Sequence, residues 1–277
     1  MPVIALTQGM GSLAQDIAEQ LADELKLSTL QHEVAERVAD KMHVSKSLIS
    51  RLRSGKAGLI EGLRADRQAM AVYTAEEVLD AAARGNVVIR GWGATQLLRP
   101  VPHVPCIRIM RPLPQRVQWL MQQLETDDAE AAEAEIRRSD TANATRMHQQ
   151  FGVDWGDPVL FDLVLNTDRL SVDTCVQQIK ALLQRPEFAE TEASRTLLQS
   201  MALHARVRAA LRAHEETAEV DITIAGSGAA VVLQGIVLHA SERGAAEQVA
   251  QAVPGVASVD NQLRVMATSR LFTSSKA

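Results

Sequence analysis

Aromatic residues are nearly missing from this 277-residue chain, where three tryptophans, one tyrosine and four phenylalanines make up 3% of the total. Proteins that hold single strands stack successive bases on aromatic rings, so this scarcity argues against such a role. Cysteine is also scarce. Cys106 and Cys175 lie far apart in apolar patterns, without metal-ligand spacing, and read as buried free thiols. No uncharged apolar run approaches the ~20 residues needed to cross a bilayer. The first residues lack the basic stretch and apolar core of a secretory leader, so a cytoplasmic protein is expected. Positive charge is outnumbered, 29 Lys and Arg against 34 Asp and Glu, for a net charge of −5. Nothing global attracts DNA, RNA or anionic lipid, and the seven histidines show no paired ligand spacing.

What is present is apolar substance for a core: 46% of residues are hydrophobic and 23% charged, in a chain long enough for two domains. "PVIALT" reads as a short buried strand. Leu13, Ile17, Leu21 and Leu25 then recur every four residues on one helical face. "TAEEVLDAAARGN" reads as a helix opened by Thr74 and stopped by Gly85. "NVVIRG" and "VPCIRIMR" read as strands, followed by a helix near Pro114, an acidic helix around "ETDDAEAAEAEIRR", and a last unit with strand "PVLFDLVLN" and a helix from Ser171. Strands alternating with helices argue for a parallel sheet covered on both faces. After Gln184 the polar "RPEFAETEASR" breaks the pattern. A smaller domain then reads helix, strand, strand, helix (opened by Ser241), strand, with the two strands joined at "GSG". The expected boundaries are 1–184, a linker at 185–198, a second domain at 199–268 and a tail at 269–277.

Between the first strand and helix lies "TQGMGSLAQ", residues 7–15, with Gly9 and Gly11 suited to a close turn and Ser12 at the start of the helix. A phosphate-cradling loop presents backbone N–H groups at a helix N-terminus, a lysine to the β and γ oxygens, and a Ser or Thr to magnesium. The lysine is absent here, where Leu13 and Ala14 follow the serine. A second candidate is "VAERVADKMHVSKSLISRLRSGKAG", which mimics a helix-turn-helix with Lys46, Arg51, Arg53 and Lys56 as phosphate contacts; a basic solvated face is the simpler account. The six carboxylates of "ETDDAEAAEAE" read as a solvated lid helix.

Several segments, taken in order, resemble the cytidylate kinase-like family. They are "TQGMGSLAQDIAEQLADEL", "NVVIRGWGATQLL", "CIRIMRPLPQRV" and, most specifically, "FGVDWGDPVLFDLVLNTDRLSVDTCVQQI". The resemblance implies a P-loop kinase-like α/β fold, a parallel sheet with helices on both faces, and phosphoryl transfer from ATP with magnesium to a nucleoside monophosphate. The family's glycine-rich "FGSGGRE" stands here as "MGSLAQD", and its arginine between two glycines is Trp92 in "GWGA". In the lid, Asp140 is in place while Asn143 replaces an arginine, and Arg137, Arg138 and Arg146 are nearby; Arg116 matches an expected arginine. The implied nucleotide contacts are therefore Gly9, Gly11, Ser12, Trp92 and Arg116, with Ser12 toward magnesium. Arg116, Arg137, Arg138 and Arg146 are the catalytic candidates.

From Val220, "VDITIAGSGAAVVLQGIVLHASERGAAEQVAQAVPGVASVDNQLRV" resembles a BON domain, a small α+β (αββαβ) interaction module. It implies a protein partner or self-association, or a phospholipid surface, though Arg243 and Arg264 stand against Asp221, Glu242, Glu247 and Asp260. Three functions remain open: a degenerate nucleotide-binding sensor or scaffold, an active nucleoside monophosphate kinase, and a membrane-associated adaptor.

Overall fold

The computed structural model describes residues 1–266. The chain divides into two compact units, Met1–Leu198 and Gln199–Ala277. In the first, the order is β1 (Val3–Gln8), α1 (Ala14–Leu25), β2 (Ser28–Leu30), α2 (His32–Lys41), α3 (Lys46–Ser54), α4 (Leu59–Arg64) and α5 (Arg67–Arg84). It continues with β3 (Val87–Arg90), α6 (Ala94–Leu97), β4 (Cys106–Met110), α7 (Leu113–Leu124), α8 (Ala129–Phe151), β5 (Leu163–Asn166) and α9 (Val172–Leu183). Helix α10 (Glu192–Ala213) spans the boundary in the chain.

The sheet is wholly parallel, in the order β2-β3-β1-β4-β5. Its middle strand β1 opens with an unbroken apolar run, Val3 to Leu6, because both faces are covered. Ile4 and Leu6 are fully buried, as are Ile107 and Ile109 on β4. Ile17 and Leu21 of α1 and Val176 and Ile179 of α9 pack on these strands, so the four-residue repeat of α1 becomes one wall of the core. The carboxyl ends of β1, β3 and β4 converge where the chain reverses between Gln8 and Ala14, which positions the site.

Three local expectations are corrected. The helix read from Thr74 begins at Arg67, capped by Asp66 Oδ1, which accepts from the Ala69 N–H at 2.8 Å; Thr74 is internal and buried. Gly85, at φ +73°, does end it. The run "PVLFDLVLN" forms a short 3-10 turn, Pro158–Leu160, before the four-residue β5, because Asp157 Oδ1 caps the Val159 N–H at 2.9 Å. The helix read from Ser241 starts at Ala240, behind His239.

The helix-turn-helix pattern is realised as α2 and α3, but its cations are largely occupied. Arg37 and Lys41 donate to the buried Glu77 of α5 at 2.8 and 2.7 Å. Lys46 pairs with Glu36, Arg51 with Glu61 and Lys56 with Glu135.

In the second unit β6 (Ile222–Ser227) and β7 (Ala230–Val237) form an antiparallel hairpin, α11 (Ala240–Ala252) follows, and β8 (Ser258–Val265) pairs parallel to β7. Val231, Leu233 and Val237 of β7 pack with Ala246 and Ala250 of α11 and with Leu203, Val207 and Leu211 of α10. The expected tail at 269–277 lies outside the described residues. Among the described residues no helix is long and apolar enough to cross a membrane.

Candidate functional site

The loop from Gly9 to Leu13 is shaped by contacts that leave little room for other residues. A Cβ at Gly9 would lie 2.8 Å from an Arg116 guanidinium nitrogen. Gly11 has φ +79° and sits against the Trp119 ring and the Arg116 backbone. Leu13 is the N-cap of α1 at φ +60°, a left-handed conformation that L residues resist, and it offers no side-chain cap. The first-turn N–H groups of α1 therefore face the cleft without an intrahelical acceptor. Ser12, 1% exposed, adds a buried Oγ with no hydrogen-bond partner, while its carbonyl accepts from Thr167 Oγ1 at 3.0 Å. A helix dipole, open amides and an orphaned hydroxyl together suit an oxyanion.

These groups open into a cleft of about 470 Å³. Its walls include the loop, Arg90 at the end of β3 and Trp92 beyond it, Lys46 and Arg53 of α3, and Asn143 of α8. All the implied nucleotide contacts except Arg116 line it, namely Gly9, Gly11, Ser12 and Trp92, and so do Lys46 and Arg53 of the helix-turn-helix pattern and Asn143 of the lid. The four candidate catalytic arginines do not, and each has protein partners. Arg116 forms a two-pronged bridge to Asp140 at 2.7 and 2.8 Å and donates from Nε to the Met10 carbonyl at 2.6 Å, so it braces the loop from outside the cleft. Arg137 pairs with Glu133 and Arg138 with Glu135 on the surface of α8. Arg146 donates to Asn143 Oδ1 at 3.1 Å and to the Arg53 carbonyl.

Trp92 is 6% exposed and lies between Gly91 and Gly93 in a run of three positive φ angles. Its Nε1–H donates to the Gln31 carbonyl at 2.6 Å, and the Arg53 guanidinium carbon sits 3.4 Å from its ring centroid. A ring buried in this way offers no face to a nucleobase. Arg90, whose pKa is lowered by burial, reaches Gln15 Oε1 at 3.4 Å. The cleft's cations are thus Lys46, Arg53 and Arg90, read in the sequence as a solvated helix face or passed over. The signal available for Arg90 was its place directly before the glycine pair.

The cytidylate kinase-like family model matches residues 3–169, more than half of the chain. The chain belongs to the cytidylate kinase-like family. A BON domain model matches residues 201–267, and the second unit is that domain. Among solved structures, an uncharacterized protein from Eubacterium ventriosum matches at TM-score 0.53 and 18% identity, over 67% of this chain and 100% of its own. A shikimate kinase from Bacteroides thetaiotaomicron matches at TM-score 0.43 and 14% identity, over 66% and 99%. No curated protein matches in sequence. The first likeness supports the fold alone; the five-stranded parallel sheet flanked by helices, matched by the family model, is P-loop kinase-like. In this member of the cytidylate kinase-like family the loop turns at Gly9 and Gly11, and Leu13 holds a left-handed φ of +60°.

Leu13→Gly tests that strain. Left-handed leucine costs about 1–2 kcal/mol, and glycine returns roughly 0.5–1 kcal/mol of that in unfolded-chain entropy. The expected result is a slight stabilisation in urea denaturation. A loss of stability would mean that Leu13 contributes packing greater than its strain.

Proposed function

We propose that the kinase-like unit binds the phosphates of a nucleotide weakly at Gly9–Leu13, and that the protein works as a nucleotide-responsive sensor or scaffold through its BON domain. The supporting observation is the uncapped N-terminus of α1 beside the partnerless Ser12 Oγ, both facing the cleft. ATP would place its phosphates on the amides of Gly11, Leu13 and Ala14, while the Ser12 N–H donates to the Gly9 carbonyl at 3.3 Å. Ser12 is the hydroxyl that would face magnesium, with Asp16 the one carboxylate lining the cleft among the described residues. Bound together, they would supply a transferable phosphoryl group and the charge that shields it.

Efficient transfer does not fit this cleft. Phosphoryl transfer is mostly positioning and charge neutralisation, and one transition-state arginine is worth about 10³–10⁵ in rate. No lysine follows Gly11, and Arg116 is held by Asp140. Lys46, Arg53 and Arg90 in the cleft favour the runner-up, an active nucleoside monophosphate kinase that draws its cations from these places. The buried free thiols suit a cytoplasmic setting, and the partner proposed for the BON domain is a protein or a second copy of the chain.

Calorimetric titration of the full chain with ATP, CTP, CMP and UMP in magnesium, followed by an ADP-release assay, separates the readings. The expected ATP affinity is weaker than about 0.1 mM, or about 5.5 kcal/mol. Turnover should fall far below the ~1–100 s⁻¹ usual for kinases. Turnover within that range would establish the runner-up instead.

A further inference from the structure

Within the second unit, β6 begins where β7 and β8 end, because β7 runs antiparallel to the first and parallel to the second. A groove of about 440 Å³ opens at that end of the sheet. Ile236 and Leu238 line it and remain 62% and 59% exposed, although Val237 between them is buried in the core. The rest of its lining is strongly acidic: Glu215, Glu216 and Glu219 after α10, Asp221 before β6, and Glu242 of α11. Glu242 Oε2 accepts from the Leu238 and His239 N–H groups at 2.7 and 3.1 Å, and Glu219 pairs with Arg212 at 3.1 Å. Glu215, Glu216 and Asp221 have no ion-pair partner among the described residues, and no lysine or arginine among them lines the groove. Two bulky apolar side chains in water beside unpaired carboxylates suit a ligand that is apolar and basic at once.

The chain carries such a ligand next to the groove. The Met266 N–H donates to the carbonyl of Val237 at 2.8 Å, so the chain leaves β8 beside residues that line it. Residues 267–277, beyond the described ones, read "ATSRLFTSSKA", with Leu271 and Phe272 directly after Arg270 and no Asp or Glu anywhere past Asp260. Arg270 follows Met266 by four residues, within about 14 Å of chain. We propose that the groove is the docking site of the chain's own residues 270–272, with Leu271 and Phe272 against Ile236 and Leu238, and Arg270 among Glu215, Glu216 and Asp221. Arg264, in register with Ile236, lines a neighbouring hollow with Gln234 and Gln262 and leaves these carboxylates unpaired. The same carboxylates repel anionic lipid headgroups, so the groove selects a peptide and not a membrane surface. A segment joined to its site is present there at an effective concentration on the order of millimolar. A partner protein of the same chemistry must therefore displace it. The assignment stands apart from nucleotide binding and survives its failure.

Fluorescence anisotropy of a labelled peptide with the sequence of residues 267–277 tests it on the full chain. The variants are Leu271→Ser with Phe272→Ser, which releases the segment, and the same pair combined with Glu215→Lys and Glu216→Lys, which reverses the charge of the groove at exposed positions. Circular dichroism melts confirm that each variant folds. The released variant should bind the peptide at least tenfold more tightly than the native chain, whose groove is already filled. Charge reversal should remove that gain, and raising salt from about 50 to about 500 mM should weaken binding to the released variant. Equal binding to the native and released chains, or binding to neither, overturns the assignment, as does peptide binding that persists after charge reversal. Sedimentation velocity covers the remaining occupant: native dimers that dissociate in the released variant would put the segment in the groove of a second copy, which also overturns it.

Discussion

Gly226→Ala is expected to unfold the BON domain while the kinase-like unit keeps its protection from hydrogen exchange. Gly226 lies inside β6, at φ +122°, paired with Val231 across the hairpin. A Cβ there would sit well inside contact distance of the Ala230 carbonyl oxygen, which is backbone and has no rotamer to escape into. The turn offers no slack, since only Gly228 and Ala229 separate the paired Ser227 and Ala230. An unfavourable φ alone costs about 1–3 kcal/mol; adding a backbone clash, we expect a total above about 4 kcal/mol. Single domains hold roughly 0.05–0.15 kcal/mol per residue, so this loss consumes most of what a unit of that size has. Gly228→Ala is the control. Its φ is +60° and its Cβ would meet nothing within 4 Å, so only about 1 kcal/mol should be lost. Amide exchange read by segment distinguishes the two; a Gly226→Ala protein with native protection across β6 and β7 would contradict the hairpin register described here.

The sheet was legible in the sequence where burial is two-sided. β1 and β3 are short apolar runs that end in polar residues, β4 is one interrupted only by Arg108, and Gly85 ended α5 where its left-handed φ required. Legibility failed where a local signal was outranked. Thr74 with Glu77 mimics a capping box, yet Asp66 caps α5 about two turns earlier in the chain, and Glu77 is drawn instead into the pair with Arg37 and Lys41. β2, only three residues with two exposed, carried too little apolar pattern to be read. Within the site, the loop followed from spacing alone. The placing of Arg53 over Trp92 did not, because the contact joins residues 39 apart by α3 folding back over the ends of the strands. Periodicity specifies which face of an element is apolar; it does not specify which cation a distant ring will meet.

The same limit governs Arg116, and here the expected effect is large. Asp140→Asn should cost about 2–3 kcal/mol in urea denaturation, a value between those for surface pairs and for buried pairs that lose one partner. Arg116 is 9% exposed and bridged twice to Asp140, but the carboxylate is about a third exposed, with side-chain exposure of 32%, so water screens part of the loss. The asparagine amide would turn a donor toward a guanidinium that has only donors, leaving at least one N–H without an acceptor. The damage should reach the loop. The Nε–H of Arg116 holds the Met10 carbonyl, and its guanidinium fills the space beside Gly9. A loosened Arg116 then loosens the turn that aims the amides of Gly11 and Leu13, and oxyanion affinity should fall with stability. Arg116→Met removes the same brace from the other side, so the double variant should lose clearly less than the sum of the single losses. Additive losses would mean that the two residues act separately, and that the loop is shaped by its glycines alone.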